Sequence, residues 1–541
     1  MSNQQDLLDI AAKAEQDLNS DRLKAGRQEG TGFGGKDTKG GSTSTDESGI
    51  DQSVESKFSQ HGATADYGSH VSGAGNNRDI PPSEGGDIQK GTGRMTKAGD
   101  FDQGAPGEGP EDVSKRQAEA YGGDDSVRDN IRNQAAGEGT GGFATEYLHN
   151  HFPDLTPSQL EIRTAISKVC AQFGDEYWLR ADKEHRFPVE FHRAVADAGF
   201  LGICMPEAYG GSDMGIAEAS IMLQTIAESG AAYAGASAVH MNIFGLEPVR
   251  KFGTDEQKER MLTPLIAGRE RACFGVTEPN TGLDTLKLQS RAVRCEDGSG
   301  DYELSGRKIW ISTAQVAEKI LILVRTTPLE EVKKASHGLS LFYTDLKRDV
   351  VEVREIEKMG RAAVDSNMLF FDGWRVPKED LIGEEGNGFK MIMHGMNAER
   401  VLIAAEALGI GYAALRRAAM YAGERTVFGR KIGQNQAIQH PLADSWMQLE
   451  SARLVVYLAA KLYDDGHESG EYANAAKYLA AEAAFRACER AVMVHGGMGY
   501  AKEYHVERYL RESMIPRIAP VSREMICNYI GEKVLGLPRS Y

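Results

Sequence analysis

The spacing of the apolar residues changes twice along this chain, and those two changes restrict what it can fold into. From Leu155, Thr156-Pro157-Ser158-Gln159 reads as a helix start, and Ile162, Ile166, Val169 and Phe173 return at helical spacing. A helical domain is expected over 151–272. Between 273 and 385 the pattern turns to short β-like runs bounded by turn residues, among them Tyr302-Glu303-Leu304, Ile320-Leu321-Ile322-Leu323-Val324 and Met368-Leu369-Phe370-Phe371. This segment reads as a small β barrel or sandwich. After Gly386-Asn387-Gly388, helical stretches run over Met391 to Met420, Gln436 to Asp464 and Glu471 to His495, so 386–541 is expected to form a helical bundle of four or five members. The expected class is α+β multidomain: an N-terminal α domain, a central β barrel or sandwich, and a C-terminal helical bundle.

Ahead of these, 1–150 forms an extension in which Gly, Ser, Asp, Glu, Gln and Thr dominate and large apolar side chains are few. Such a segment cannot bury enough surface to offset its ordering entropy, so it is expected to be disordered. Leu7, Leu8, Ala11, Ala14 and Leu18 could form one amphipathic series within it. The chain carries 62 basic and 79 acidic residues, a net charge of −17, which disfavours nonspecific attraction to nucleic acid or anionic lipid. Its six cysteines are scattered without a CxxC pair, so no metal site and no disulfide framework is expected; reduced thiols in a reducing intracellular compartment are. No apolar run approaches the ~20 residues that span a bilayer; even the run from Val401 is broken by Glu406. No targeting signal is readable, which leaves a mitochondrial or cytoplasmic setting open.

Motifs in the β segment and the bundle carry the chemistry. Cys273-Phe274-Gly275-Val276-Thr277-Glu278-Pro279-Asn280-Thr281-Gly282-Leu283-Asp284 is followed by Lys308-Ile309-Trp310-Ile311-Ser312, then by Tyr421-Ala422-Gly423-Glu424-Arg425-Thr426-Val427-Phe428-Gly429-Arg430 and Val494-His495-Gly496-Gly497-Met498-Gly499-Tyr500. Over roughly 155 to 535 this order resembles the acyl-CoA dehydrogenase family. The resemblance implies FAD as cofactor, lying between the β domain and the bundle. Phe274, Val276, Thr277, Gly282 and Leu283 match cofactor-contact positions, Trp310 would wall the ring, and Ser312 stands where the family usually has Thr. Leu283 departs from the common Ser and removes a hydroxyl from the pyrophosphate site. Arg425, Phe428, Gln436, Gly496, Gly497 and Ser522 match further cofactor positions, several contributed in the family across a subunit interface. A homodimer or homotetramer is therefore implied.

The family removes the proton α to a thioester with a carboxylate, while hydride leaves the β carbon. Medium-chain members carry that Glu near the carboxyl end, where this chain has Ile518-Ala519-Pro520-Val521-Ser522. Isovaleryl- and long-chain-type members carry it on a helix opening the bundle, and Met396-Asn397-Ala398-Glu399-Arg400 matches that arrangement. By resemblance Glu399 is the base, and Arg400 and Asn397 contact the acyl-CoA; Asn397 as a helix-start cap is the other reading. Glu406, seven residues on and about 10 Å along a helix axis, is an alternative base or a buried structural acid. The family uses a backbone N–H at the position of Pro520 to bind the thioester oxygen, and proline has none; either another amide, such as that of Val521, replaces it or the substrate binds differently. The implied reaction is dehydrogenation of an acyl-CoA to a trans-2-enoyl-CoA, in fatty acid and lipid metabolism, with an electron-transfer flavoprotein as acceptor. The alternatives are an oxidase of the same fold and a catalytically weak flavin-fold scaffold.

Overall fold

In the computed structural model the chain divides into two units, Met1–Arg132 and Asn133–Tyr541, and the structure describes residues 155–540. The expected disordered extension and its amphipathic leucine series lie outside the described residues.

The first helix, α1 (Pro157–Cys170), opens on a reciprocal cap. The Thr156 hydroxyl accepts from the Gln159 N–H at 3.3 Å, and the Gln159 side chain accepts from the Thr156 N–H at 3.1 Å. Then follow α2 (Asp175–Glu184), α3 (Val189–Asp197), α4 (Ile216–Ile226), a π-helical turn (Ala227–Ala231), α5 (Ala232–His240), α6 (Glu247–Phe252) and α7 (Asp255–Ile266). The π turn contains Gly230 at φ 106°, a left-handed conformation suited to glycine, and the chain bends there into α5. Helix α4 is apolar nearly all round and buried from Ala219 to its end, as a helix packed on several sides must be.

Eight strands follow: β1 (Ala272–Gly275), β2 (Arg291–Arg294), β3 (Tyr302–Ser312), β4 (Lys319–Arg325), β5 (Leu339–Asp345), β6 (Val351–Glu355), β7 (Ser366–Val376) and β8 (Leu381–Ile382). They join in the order β6-β7-β3-β2-β4-β5-β8, with β1 parallel to β4. Strand β4 is buried on both faces, which explains its unbroken apolar run from Ile320 to Val324. Tyr302, Leu304, Phe342 and Trp374 fill the sheet's own core. The β3–β7 register shifts between Lys308 and Ile311, a bulge that re-aims the side chain of Trp310.

The bundle is built on three long helices, α8 (Gly388–Glu424), α9 (Gln436–Asp464) and α10 (Gly470–His495). A hairpin of β9 (Thr426–Val427) and β10 (Arg430–Lys431) separates the first two, and α11 (Val506–Glu512), α12 (Ile515–Ile518) and α13 (Arg523–Tyr529) follow. No described helix is long and apolar enough to cross a membrane. Helix α10 lays Ala476, Ala480, Ala483, Ala484, Ala487 and Ala491 into the core, small side chains that let it approach α8. Helix α8 also crosses α4 closely: a Cβ on Gly409 would lie 2.3 Å from the Gln224 carbonyl oxygen and 2.7 Å from the Ala227 Cβ. Gly409→Val should therefore force the two helices apart, costing about 1–3 kcal/mol by overpacking. A thermal melt followed by circular dichroism should show a lowered midpoint, and an unchanged midpoint would rule out this crossing.

Candidate active site

The loop leaving β1 is anchored by a buried ion pair. Glu278 accepts from the backbone N–H groups of Gln289 and Ser290 at 2.7 and 2.9 Å. Lys308, fully buried on β3, donates to the Glu278 carboxylate at 2.9 Å and to the Val276 carbonyl at 3.0 Å. Burial pulls the Lys308 pKa down to about 8 against the opposing attraction of Glu278. The Ile309 N–H donates to the Thr277 carbonyl at 2.9 Å, so residues 276–278 lie fastened to β3 beside the bulge. There Trp310 adopts φ 62° and leaves 56% of its surface exposed.

Two contacts join this end of the sheet to the helices. The Phe274 ring meets Phe244 at 5.1 Å, and Phe244 meets His240 at 5.1 Å. Arg361, in the β6–β7 connection, donates to the Ser312 hydroxyl at 2.8 Å, to Ser366 at 3.0 Å and to Ser237 of α5 at 3.3 Å. Phe274, Val276, Thr277, Trp310 and Ser312 thus belong to one connected region. A broad exposed indole beside fastened backbone groups and a hydroxyl fits a planar heteroaromatic cofactor. The open space around Gly282, where an added Cβ meets nothing within 4 Å, leaves room along the same loop. Leu283 is 53% exposed.

The second part of the site is a buried acid–imidazole–acid bridge. Glu399 and Glu406 project from one face of α8 and are 6% and 0% exposed. His240, the last residue of α5, lies between them, its Nε2 2.5 Å from Glu399 Oε2 and its Nδ1 2.6 Å from Glu406 Oε1. Burial opposes charge on the imidazole, but the two carboxylates outweigh it and push the His240 pKa up to about 10. Burial pushes Glu406 upward, with His240 pulling the other way. The second Glu406 oxygen, Oε2, is buried without a hydrogen-bond partner.

His240 and Arg361 were not among the residues expected from motifs. Each stands far in sequence from what it touches, His240 lying 159 residues before Glu399. A signal existed for His240: it closes the apolar run Ala234-Gly235-Ala236-Ser237-Ala238-Val239, and a polar ring there requires a buried partner.

Asn397 is not a helix-start cap. Helix α8 begins upstream at Gly388, with Asn387 in the cap position, and Asn397 accepts from Arg400 Nη1 at 2.8 Å inside the helix. Arg400 is half-buried and its Nε has no partner. Ser522 caps α13, its hydroxyl accepting from the Met525 N–H at 3.3 Å. The Val521 carbonyl accepts from Lys477 Nζ at 2.5 Å. Arg425, Phe428, Gln436, Gly496 and Gly497 are all exposed, and Phe428, at φ 52° in the β9–β10 turn, is 100% exposed. No hydrogen bond among the described residues links these five to Val276, Thr277, Trp310 or Ser312.

Three family models match the chain: acyl-CoA dehydrogenase N-terminal domain over 156–269, middle domain over 273–374 and C-terminal domain over 386–535. Acyl-CoA dehydrogenase FadE12 of Mycobacterium tuberculosis is 36% identical over 385 residues, covering 70% of this chain and 96% of the relative. The caffeyl-CoA reductase-Etf complex subunit CarC of Acetobacterium woodii is 34% identical over 359 residues, covering 65% and 92%. The structure of butyryl-CoA dehydrogenase from Megasphaera elsdenii superposes with a TM-score of 0.67 at 30% identity, covering 71% of this chain and 99% of that one.

Lys308→Met would leave the Glu278 carboxylate buried without its cation and free the Val276 carbonyl. Removing one partner of a buried pair costs about 3–5 kcal/mol, so the variant should melt earlier and lose flavin absorbance during purification. A variant that keeps both its melting temperature and its flavin would refute the anchoring role.

Proposed function

The chain belongs to the acyl-CoA dehydrogenase family, and from that membership we propose that it oxidises the Cα–Cβ bond of an acyl-CoA thioester to a trans-2-enoyl-CoA with Glu399 as the base. Members of this family are FAD-dependent oxidoreductases acting on acyl-CoA, and this chain is one of them. When bound, FAD supplies the acceptor for the hydride that leaves Cβ. The observation that supports Glu399 is its placement: a buried carboxylate on α8, held at 2.5 Å by a ring that itself packs against Phe244 and so toward Phe274.

In this reading the remaining residues bind and orient. Lys308 and Glu278 hold the backbone of Val276 and Thr277 at the ring of the cofactor, Trp310 presents its indole face, and Arg361 fixes the Ser312 hydroxyl. Arg400 and Asn397, on the turn of α8 that carries Glu399, border the acyl-CoA. The Val521 amide is the proposed donor to the thioester oxygen, since Pro520 has none, and Lys477 restrains that loop through the Val521 carbonyl.

Electrons pass in this proposal to an electron-transfer flavoprotein, supported by the similarity to a subunit of an Etf complex. The cofactor site is proposed to be completed across a homo-oligomer interface. Support comes from Arg425, Phe428, Gln436, Gly496 and Gly497, which match cofactor positions yet stand exposed and unlinked to the Trp310 loop, with Phe428 wholly uncovered. Phe428→Asp should therefore lower the mass seen by sedimentation and weaken flavin retention together. A change in neither would sink the interface assignment.

Glu399→Gln should keep its flavin and its fold but lose bleaching of the oxidised-flavin absorbance by substrate, by at least about 100-fold in rate. The check is an anaerobic titration of wild type and variant with straight, branched and aromatic acyl-CoAs. Rapid bleaching of the variant would reject Glu399 as the base.

A further inference from the structure

Several buried charges elsewhere in the described residues sit in structural pairs. Arg163 and Arg416 meet at Glu228, Arg511 spans Glu507 and Asp182, and Lys308 meets Glu278. The His240 bridge differs, because two carboxylates compete for one imidazole and one of them is the proposed base. Resting on that assignment of Glu399, we infer that His240 and Glu406 are positioning residues for the reaction: the His240 ring holds the Glu399 carboxyl group in place, and Glu406 holds the ring from its other nitrogen.

Proton counting supports this. Each ring nitrogen lies within 2.6 Å of a carboxylate oxygen, so each contact must carry a proton between its two atoms. Two contacts hold two protons, as an imidazolium between two carboxylates or as a neutral imidazole beside one carboxylic acid. Two carboxyl groups flanking one ring favour the imidazolium, and the upward shift of His240 agrees with this, against the upward push of burial on Glu406. Other titratable groups face the cluster from every side. Tyr233 lies on α5, Arg361 in the β6–β7 connection, Arg400 on α8 and Lys477 on α10, while Glu512 of α11 acts on Arg361 and Tyr233. None of them touches either ring nitrogen.

The arrangement also suits the chemical step. When the Cα–H bond breaks, its proton goes to Glu399 and its electron pair stays in the substrate to form the Cα–Cβ double bond as hydride departs. The three-residue cluster then passes from one net negative charge to none. His240 can next hand its Nδ1 proton to Glu406 across the 2.6 Å contact, leaving no separated charges in a low-dielectric interior.

The test is the pH profile of flavin reduction by butyryl-, isovaleryl- and phenylpropionyl-CoA in the flavin-loaded full chain, for wild type, His240→Asn and His240→Asn/Glu406→Gln. Without the imidazolium, two buried carboxylates face each other and together bind a proton at higher pH. The acid limb of His240→Asn should therefore move upward by about one pH unit or more. Neutralising Glu406 as well should bring it back toward wild type, so that at neutral pH the double variant outpaces the single one. A structural role alone predicts the opposite, a double variant no faster than the single one at any pH, and that result would overturn the inference. An infrared titration without substrate makes the check independent of turnover. Beyond any band from the buried Glu512, whose pKa burial also raises, a carboxylic-acid band should persist to higher pH in His240→Asn than in wild type or the double variant, and identical spectra for all three would reject the clamp. Should Glu399→Gln still reduce its flavin quickly, the base assignment fails alone while the infrared series continues to decide the charge clamp.

Discussion

Two acidic side chains buried on one helix need a polar partner between them, and here the end of α5 delivers it. The His240 ring reaches Glu399 and Glu406 on α8 at 2.5 and 2.6 Å, so the N-terminal helical layer and the bundle are locked together at this bridge. Without the ring, desolvation would drive at least one of these acids to its neutral form. The position of α5 is in turn set by the π-helical turn at Ala227–Ala231, whose Gly230 takes a left-handed conformation. It is held from the other side by Arg361, which donates to Ser237.

The β domain contributes by the same means, a buried charge paired once and used to fasten backbone. Lys308 reaches both the Glu278 carboxylate and the Val276 carbonyl. A loop that would otherwise be free to move at the edge of the sheet is thereby held in register with β3. The bulge beyond Lys308 turns Trp310 outward and leaves Ser312 to meet Arg361. Arg361 therefore links the Ser312 end of β3 to α5, and Phe244 links Phe274 to His240. Family membership and FAD dependence follow from similarity across all three matched segments, whereas the His240 bridge between Glu399 and Glu406 is read from this chain's own side chains.

Much of this was legible in the residues. The capping pair Thr156 and Gln159, the apolar run of β4, and the helical stretches that became α8, α9 and α10 are local signals, since each depends on neighbours within a few residues. The motif stretches 273–284 and 308–312 were likewise local signals, and the structure brings Val276, Thr277, Trp310 and Ser312 into one region. Asn397 shows the limit of local reasoning. A polar residue near an expected helix start looked like a cap, but the helix extends upstream to Gly388 because Gly388 and Met391 pack into the core there.

The amino-acid sequence by itself determined the order of helical, β and helical segments, the presence of a carboxylate at Glu399, and the absence of a carboxylate at Pro520. These follow from periodicity and side-chain chemistry, which act over short range. Only the tertiary structure decided that His240 bridges Glu399 and Glu406, that Arg361 holds Ser312, and that Lys308 braces the Val276 loop. Those contacts join residues from 32 to 166 positions apart. A buried charge takes whichever partner the packing brings within about 3 Å, so its identity is fixed by the fold rather than by sequence neighbours.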